Sequence, residues 1–310
     1  MVKKRILVIS SANIDFVQRM RRVPYSGETV TEMDNGYSYV PGGKGANSAI
    51  TFSRLGADCV FACKLGRDAN GKRLSAIYAK EGIDTRYIWE DDEHPTGLAS
   101  ILVEENGKNR IIVYPGANNY ITPADIEEPF TCYPDAVYMQ LEIPFDAVVE
   151  ATRRANEADI PVFIDAGPAS VDYDLSRLGR VEIFSPNESE TRVFTGITPN
   201  SEENCLRAAI KLSTLVNAQY ITFPAEKTEV VDTTAAGDVF TAALSYWYLE
   251  KGNILKAADF AGCAAAVSVS RAGASTSVPT LSEVIAFAKA RAQEQSAEIA
   301  EAAKSEDGAQ

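Results

Sequence analysis

The spacing of hydrophobic positions along this chain has two regimes. Arg5 to Ile9 is a short β-branched run, the pattern of a buried strand. From Phe16 to Val40 the pattern alternates, and Thr29-Val30-Thr31 and Tyr37-Ser38-Tyr39-Val40 predict exposed strands. A second alternating patch runs from Gly97 to Tyr114 around an Asn106-Gly107 hairpin turn. Neither patch belongs to a βαβ rhythm, and together they predict a small sheet lying over a larger one. Elsewhere strand-like and helix-like runs take turns. Strands are predicted at Cys59 to Leu65, Ala136 to Leu141, Pro161 to Asp165, Val181 to Phe184 and Gln219 to Phe223. Helices are predicted at Gly71 to Glu81, Asp146 to Ala158 and Ser201 to Val216, then after Val239, after Asn253 and near Leu281. Such alternation predicts an α/β fold, a mainly parallel sheet with helices on both faces. From about Ala292 the chain becomes Glu-, Ala- and Gln-rich, which predicts a fraying helix and a disordered polar tail.

Candidate chemistry sits where strands or loops give way to helices. Val231-Asp232-Thr233-Thr234-Ala235-Ala236-Gly237-Asp238 precedes a small-residue apolar run, Val239 to Leu249, that reads as a buried helix. The first N–H groups of a helix lack helical partners and carry positive potential. Ala-Ala-Gly keeps that turn bare, so an anion can approach the amides, and Asp238 in the first turn can take a proton from a hydroxyl. Alternatively Asp238 is a helix cap. Pro41-Gly42-Gly43-Lys44-Gly45-Ala46-Asn47 is a second tight strand-to-helix turn, with a cation at Lys44 and an amide at Asn47. It lacks the P-loop spacing and can also be read as a plain glycine-rich helix entry.

Three shorter constellations fall at predicted strand ends, where open α/β sheets bind ligands. Asn13 and Asp15 follow the first strand and could face one pocket and hold vicinal hydroxyls, or form an Asx turn. Glu142 ends Met139-Gln140-Leu141-Glu142. Asn187 and Glu190 share one face of a helix start, as hard oxygen donors for Mg²⁺ through water or as a capping box.

Bulk properties then narrow the classes. The 310-residue chain has a net charge of −13, so there is no basic excess for nonspecific nucleic-acid binding. Five scattered cysteines without a C-x-x-C pair predict reduced thiols and a cytoplasmic location. The lone histidine, His94, reads as a surface-loop residue. There is no apolar run of membrane-spanning length, and the basic start before Ile6 reads as a first strand rather than a signal peptide. A dinucleotide-binding oxidoreductase is excluded because no G-x-G-x-x-G follows the first strand.

Taken together, the Gly42-Gly43-Lys44-Gly45-Ala46-Asn47 turn, Asn187-x-x-Glu190 and Asp232-Thr233-Thr234-Ala235-Ala236-Gly237-Asp238 resemble the ribokinase/PfkB family of sugar kinases, from about Lys4 to Ala290. The resemblance implies a three-layer α/β/α kinase domain over residues 1–291, with lid segments at about 16–40 and 97–114 and a tail over 292–310. It implies ATP-dependent phosphorylation of the primary 5-hydroxyl of D-ribose. Asn13, Asp15, Gly42, Gly43, Lys44, Asn47 and Glu142 would bind the sugar. Ala235, Ala236 and Gly237 would form the anion hole and Asp238 would be the base. Asn187, Glu190, Thr233 and Gly237 would serve Mg²⁺-ATP, with Glu190 meeting Mg²⁺ through water. Asp232, Thr234, Ser268, Arg271, Gly273 and Ser277 would hold K⁺. The lid would also form a homodimer contact. Other family substrates (deoxyribose, fructose, a nucleoside) remain open, as does a non-catalytic sugar-binding relative. Two departures stand out. Gly262 occupies a position near the adenine where the family usually has Asn or His, so adenine contacts are unassigned. Between Ile221 and Asp232 the family has a strand, a Leu-Gly-x-x-Gly turn and a hairpin, roughly fifteen residues more than here. Either part of the nucleotide wall is missing or a segment is left out of the sequence as written; the intact motifs on both sides favour the second.

Overall fold

Seven parallel strands carry the molecule, and the first of them lies in the interior of the sheet. β1 (Arg5–Ile9) is buried from Ile6 onward because strands flank it on both sides. The computed structural model describes residues 3–32, 36–106, 108–222 and 231–293. Two lid strands follow β1, namely β2 (Asn13–Met20) and β3 (Tyr37–Gly42). Helix α1 (Lys44–Leu55), β4 (Asp58–Gly66), α2 (Ala69–Lys80) and β5 (Ile88–Asp91) then return the chain to the main sheet. The hairpin of β6 (Gly97–Glu104) and β7 (Asn109–Tyr114) goes back to the lid. A succession of β8 (Ala136–Gln140), α3 (Phe145–Glu157), β9 (Val162–Asp165), β10 (Arg180–Ser185), α4 (Glu188–Thr195), α5 (Glu202–Leu215) and β11 (Asn217–Ile221) completes the sheet. Its order is β11-β10-β9-β8-β1-β4-β5. Helices α6 (Ala236–Lys251) and α7 (Ile254–Val269) follow, and a last helix covers 281–293.

Period-two alternation sorts the strand residues onto two cores. Ile6, Val8, Cys59, Phe61, Tyr138 and Phe163 pack with α1, α6 and α7 on one face. Leu7, Ile9, Val60, Val137, Met139 and Ile164 pack with α3 and α5 on the other. A sheet buried on both faces needs this near-continuous apolar sequence. The smaller sheet has the order β3-β2-β6-β7, with β2 parallel to β6 and its edge pairs antiparallel.

Several expectations shift. β2 begins at Asn13, so Asn13 and Asp15 are lid-strand residues rather than a loop preceding a lid at Phe16. Thr29-Val30-Thr31 is irregular and largely exposed, with no strand partner there. The last main-sheet strand covers Asn217–Ile221 rather than Gln219 to Phe223. Gly107, residues 223–230 and the tail from 294 lie outside the described residues, and with them most of the shortened Thr222–Val231 connection. Cys59, Cys63 and Cys132 are buried free thiols, and Cys205 is a half-buried one. His94 stacks on Tyr120 at 3.4 Å and pairs with Asp91.

Candidate active site

From β1 the chain order runs to β4 on one side, and β8 lies on the other, so a crevice opens at the carboxyl edge beside β1. Around that edge stand Asn13 and Asp15 at the foot of β2, Glu142 past β8, Asp165 at the end of β9 and the start of α4 past β10. The N-termini of α1 and α6 reach the same place, as the contacts below show.

Gly43 precedes α1 with φ +88°, a conformation natural to glycine, and supplies no side-chain cap. Glu142 takes over. Its Oε2 accepts the Lys44 N–H at 3.0 Å and the Ser11 hydroxyl. The glycines also allow close approach. A Cβ on Gly42 would strike the Asp15 carboxylate, and one on Gly43 would lie 2.8 Å from the Asn13 nitrogen.

At α6 the helix begins at Ala236, earlier than the apolar run suggests. Ala235 precedes it with φ +64°, the left-handed region that costs a non-glycine residue about 1 kcal/mol. The Ala236 N–H turns back to Thr233 O at 3.2 Å, and Val239 N–H bonds Ala235 O at 2.9 Å. Among the described residues no acceptor takes the Gly237 or Asp238 N–H, and Gly237 faces open space. Asp238 is buried at 4% exposure. Its Oδ2 accepts from Asn47 Nδ2 at 2.8 Å, and Lys44 Nζ stands 3.5 Å from its Oδ1. Asn47 Oδ1 is buried and has no partner.

Among the described residues the crevice is strongly acidic around one cation, Lys44. Asp238 above all, then Asp165, Glu142 and Glu190, raise the pKa of Lys44, which therefore stays charged. Burial, then Glu142 and Asp238, push the Asp15 carboxyl up to about 7. Burial likewise raises Asp165, against the pull of Lys44, and raises Glu190. Asp165 is the member that the sequence reading missed. Its position at a strand's carboxyl end, like that of Glu142, was the available signal.

Asn187 and Glu190 do form the capping box: Asn187 Oδ1 accepts Glu190 N–H at 2.9 Å, and Glu190 Oε2 accepts Asn187 N–H at 2.8 Å. The other oxygen, Oε1, lies beside Gly167, whose N–H bonds Asp165 Oδ1 at 3.0 Å. Two hard carboxylates are thus neighbours. Among the described residues no three acidic, His or Cys groups cluster as a metal cage. This donor set suits Mg²⁺ arriving with a polyphosphate and keeping its waters.

Beyond α7 the candidate cation residues fold around Asp232. Its Oδ1 accepts Thr234 N–H at 2.9 Å and the Thr234 hydroxyl at 2.6 Å, and its Oδ2 accepts Gly273 N–H at 2.9 Å. Burial would raise this carboxyl, but the hydrogen bonds from Thr234 and Gly273 prevail and hold it below the usual range. Ser268 and Ser277 pair through their hydroxyls at 2.8 Å. Arg271 turns its guanidinium to Glu283 at 2.6 Å, which leaves only its backbone for a cation. One carboxylate, hydroxyls and carbonyls suit a large monovalent ion.

Residues 3–281 match the model of the pfkB family carbohydrate kinases, and the chain belongs to that family. Its relatives place it on the ribokinase branch. The chain is 32% identical to the ribokinase of Haemophilus influenzae over 305 residues, covering 92% of this chain and 99% of the relative. It is 34% identical to that of Bacillus subtilis over 297 residues, covering 91% and 98%. The structure of Arabidopsis thaliana ribokinase complexed with ribose and ATP superposes with a TM-score of 0.81 at 27% identity, over 93% of this chain and 99% of that one.

Proposed function

We propose that the protein transfers the γ-phosphoryl group of ATP to the primary 5-hydroxyl of D-ribose, giving ribose 5-phosphate. The observation that carries this reading is Asp238 itself, buried and held by Asn47 and Lys44 beside two open amides of its own helix. A sugar alcohol is a poor nucleophile, and a carboxylate within reach takes its proton as the bond to phosphorus forms. The Gly237 and Asp238 amides then face the charge that develops on the transferring group, with Ala235 setting the turn. Asn13, Asp15, Asn47 and Glu142 hold the remaining hydroxyls and align the attacking oxygen. Lys44 offsets the negative charge of the crevice as a phosphate enters.

Asn187 and Glu190 would orient the nucleotide's Mg²⁺ through water, together with Asp165. When bound, that ion neutralises phosphate charge. Asp232, with Thr234, Ser268, Ser277 and the backbone at Arg271 and Gly273, would seat K⁺ behind the anion-binding turn. The reading extends to a homodimer through the lid. β7 is exposed throughout, and Ile111, Ile112, Val113 and Tyr114 are each at least 45% exposed, an apolar edge of the kind that marks an interface. A cytoplasmic location agrees with the free thiols of Cys59, Cys63, Cys132 and Cys205.

The test is a substrate panel with Mg²⁺-ATP and K⁺, in which ribose, 2-deoxyribose, fructose and adenosine compete and products are identified by mass. Ribose 5-phosphate as the preferred product is expected. Preference for another substrate by more than about tenfold in kcat/KM would replace ribose in this account. Ribose binding without any ATP binding would reduce the protein to a sugar-binding relative.

A further inference from the structure

We infer that Asn118 is the positioning residue that fixes which way the Asn13 amide faces, and so whether a sugar hydroxyl meets a donor or an acceptor there. The inference rests on the sugar-kinase reading above. Asn118 lies in the short 3-10 turn Gly116–Tyr120 that follows the last lid strand, and it is 1% exposed. Its Nδ2 is within 2.8 Å of Asn13 Oδ1, 3.0 Å of Pro115 O and 3.1 Å of Ala12 O, and donates among them. Its Oδ1 accepts the Ala12 N–H at 2.9 Å. Three acceptors surround one end of this amide and a donor faces the other. The flipped amide would set oxygen against three oxygens and a donor against a donor, so only one orientation is satisfied.

That orientation passes to Asn13. With Oδ1 taken by Asn118, Asn13 keeps its Nδ2 protons, and no acceptor among the described residues uses them, although the residue is 3% exposed. Protons left over at the mouth of the crevice are available to a ligand oxygen. The clamp also sits where three lid strands meet the body. Ala12 precedes β2 and Asn13 opens it, Pro115 follows β7, and a Cβ on Gly97, the first residue of β6, would strike both Asn13 Oδ1 and Asn118 Nδ2. Glycine at 97 is therefore part of the same arrangement. The family-like motifs do not include Asn118, and the sequence offers no periodic signal for it.

The experiment is a double-mutant cycle between Asn118→Asp and Asn13→Ala. The first substitution keeps the shape and replaces the donating amino group by oxygen. Asn13 then turns its own amino group toward position 118 and presents Oδ1 to the sugar. Ribose affinity is measured by calorimetry without nucleotide, and kcat and KM by steady-state kinetics. We expect the ribose Kd and KM to rise about tenfold, with kcat and the KM for ATP changed by less than about threefold. In the Asn13→Ala background the same substitution should add less than about twofold, because its route is gone. Asn118→Ser empties the clamp without adding charge and serves the same cycle if the carboxylate variant does not fold. Unchanged ribose affinity, or a loss that persists undiminished in the Asn13→Ala background, overturns the inference. A wild type that binds ribose but does not phosphorylate it sinks the kinase reading alone, and the binding cycle still judges Asn118. A wild type that binds no ribose overturns both.

Discussion

Asn47 donates to Asp238 across 2.8 Å although the two stand 191 positions apart in the chain. The contact joins the first turns of α1 and α6, and so fixes the Gly42-Gly43 turn against the Ala235-Ala236-Gly237 turn. Asp238→Asn keeps the volume but removes the proton acceptor. Turnover should fall by about 10³-fold while the ribose Kd moves less than about threefold. An ADP-release assay paired with calorimetry checks this. Near wild-type turnover at saturating substrates would remove Asp238 from the chemistry.

Lys44 is the one cation among Asp238, Asp165, Glu142 and Glu190. Lys44→Met leaves those carboxylates to repel one another, so the variant should lose about 2 kcal/mol of stability near neutral pH. The loss should shrink in mild acid, where Asp15 and Asp165 take up protons. Urea melts at both pH values report it, and an equal loss at both would contradict the electrostatic account.

Asp15 predicts a pH dependence of definite sign. Burial, Glu142 and Asp238 lift its carboxyl from 3.8 to about 7 in the folded protein. Between those values the native state holds a proton that the unfolded chain releases. The resulting stability is fully present below the lower value and is lost as pH rises through the upper one. The sugar-free protein should therefore melt at lower temperature at about pH 8 than at about pH 5, and Asp15→Asn should flatten that slope. Ribose affinity should change the opposite way, because the ionised carboxylate is the stronger acceptor for a hydroxyl. Thermal melts and ribose titrations across that range decide both halves.

Asp232 has both oxygens committed to Thr234 and Gly273, which ties the turn before α6 to the loop after α7. Replacing K⁺ by Na⁺ should lower kcat severalfold in the wild type. In Asp232→Ala the two salts should give rates within about twofold of each other, at a low level. A wild-type rate indifferent to the cation would dismiss the proposed K⁺ seat.

The exposed β7 edge predicts the assembly. Wild type should run in light scattering at twice the chain mass of 33.5 kDa, and a double change, Ile111→Ser with Ile112→Ser, should bring it to the single mass. A monomeric wild type would end the lid-interface proposal.

Strong patterns in the chain made the architecture legible. Double-sided burial shows as unbroken apolar runs, so β1, β4, β8, β9 and β10 could be placed within a residue or two. Thr29-Val30-Thr31 misled because β-branched alternation records side-chain preference, and among the described residues no neighbouring strand offers it hydrogen bonds. The Gly42-Gly43 turn was readable because the close approach of Asp15 and Asn13 leaves no room for a side chain, whereas Gly237 faces open space and was marked by the motif around it. Asp165 and Asn118 were not, since their significance comes from groups far away in sequence: Lys44 and Glu190 for one, Ala12 and Asn13 for the other. The capping box of Asn187 and Glu190 engages one carboxylate oxygen of Glu190, Oε2, and leaves Oε1 for the proposed metal role.

Only Ser10 to Ala12 separate β1 in the body from the strand that carries Asn13 and Asp15. A sugar that engages those two side chains thereby grips the stem of the cover above it. On the proposed reading the guest would be its own latch: a molecule with the wrong hydroxyls, or water alone, would give that stem less to hold.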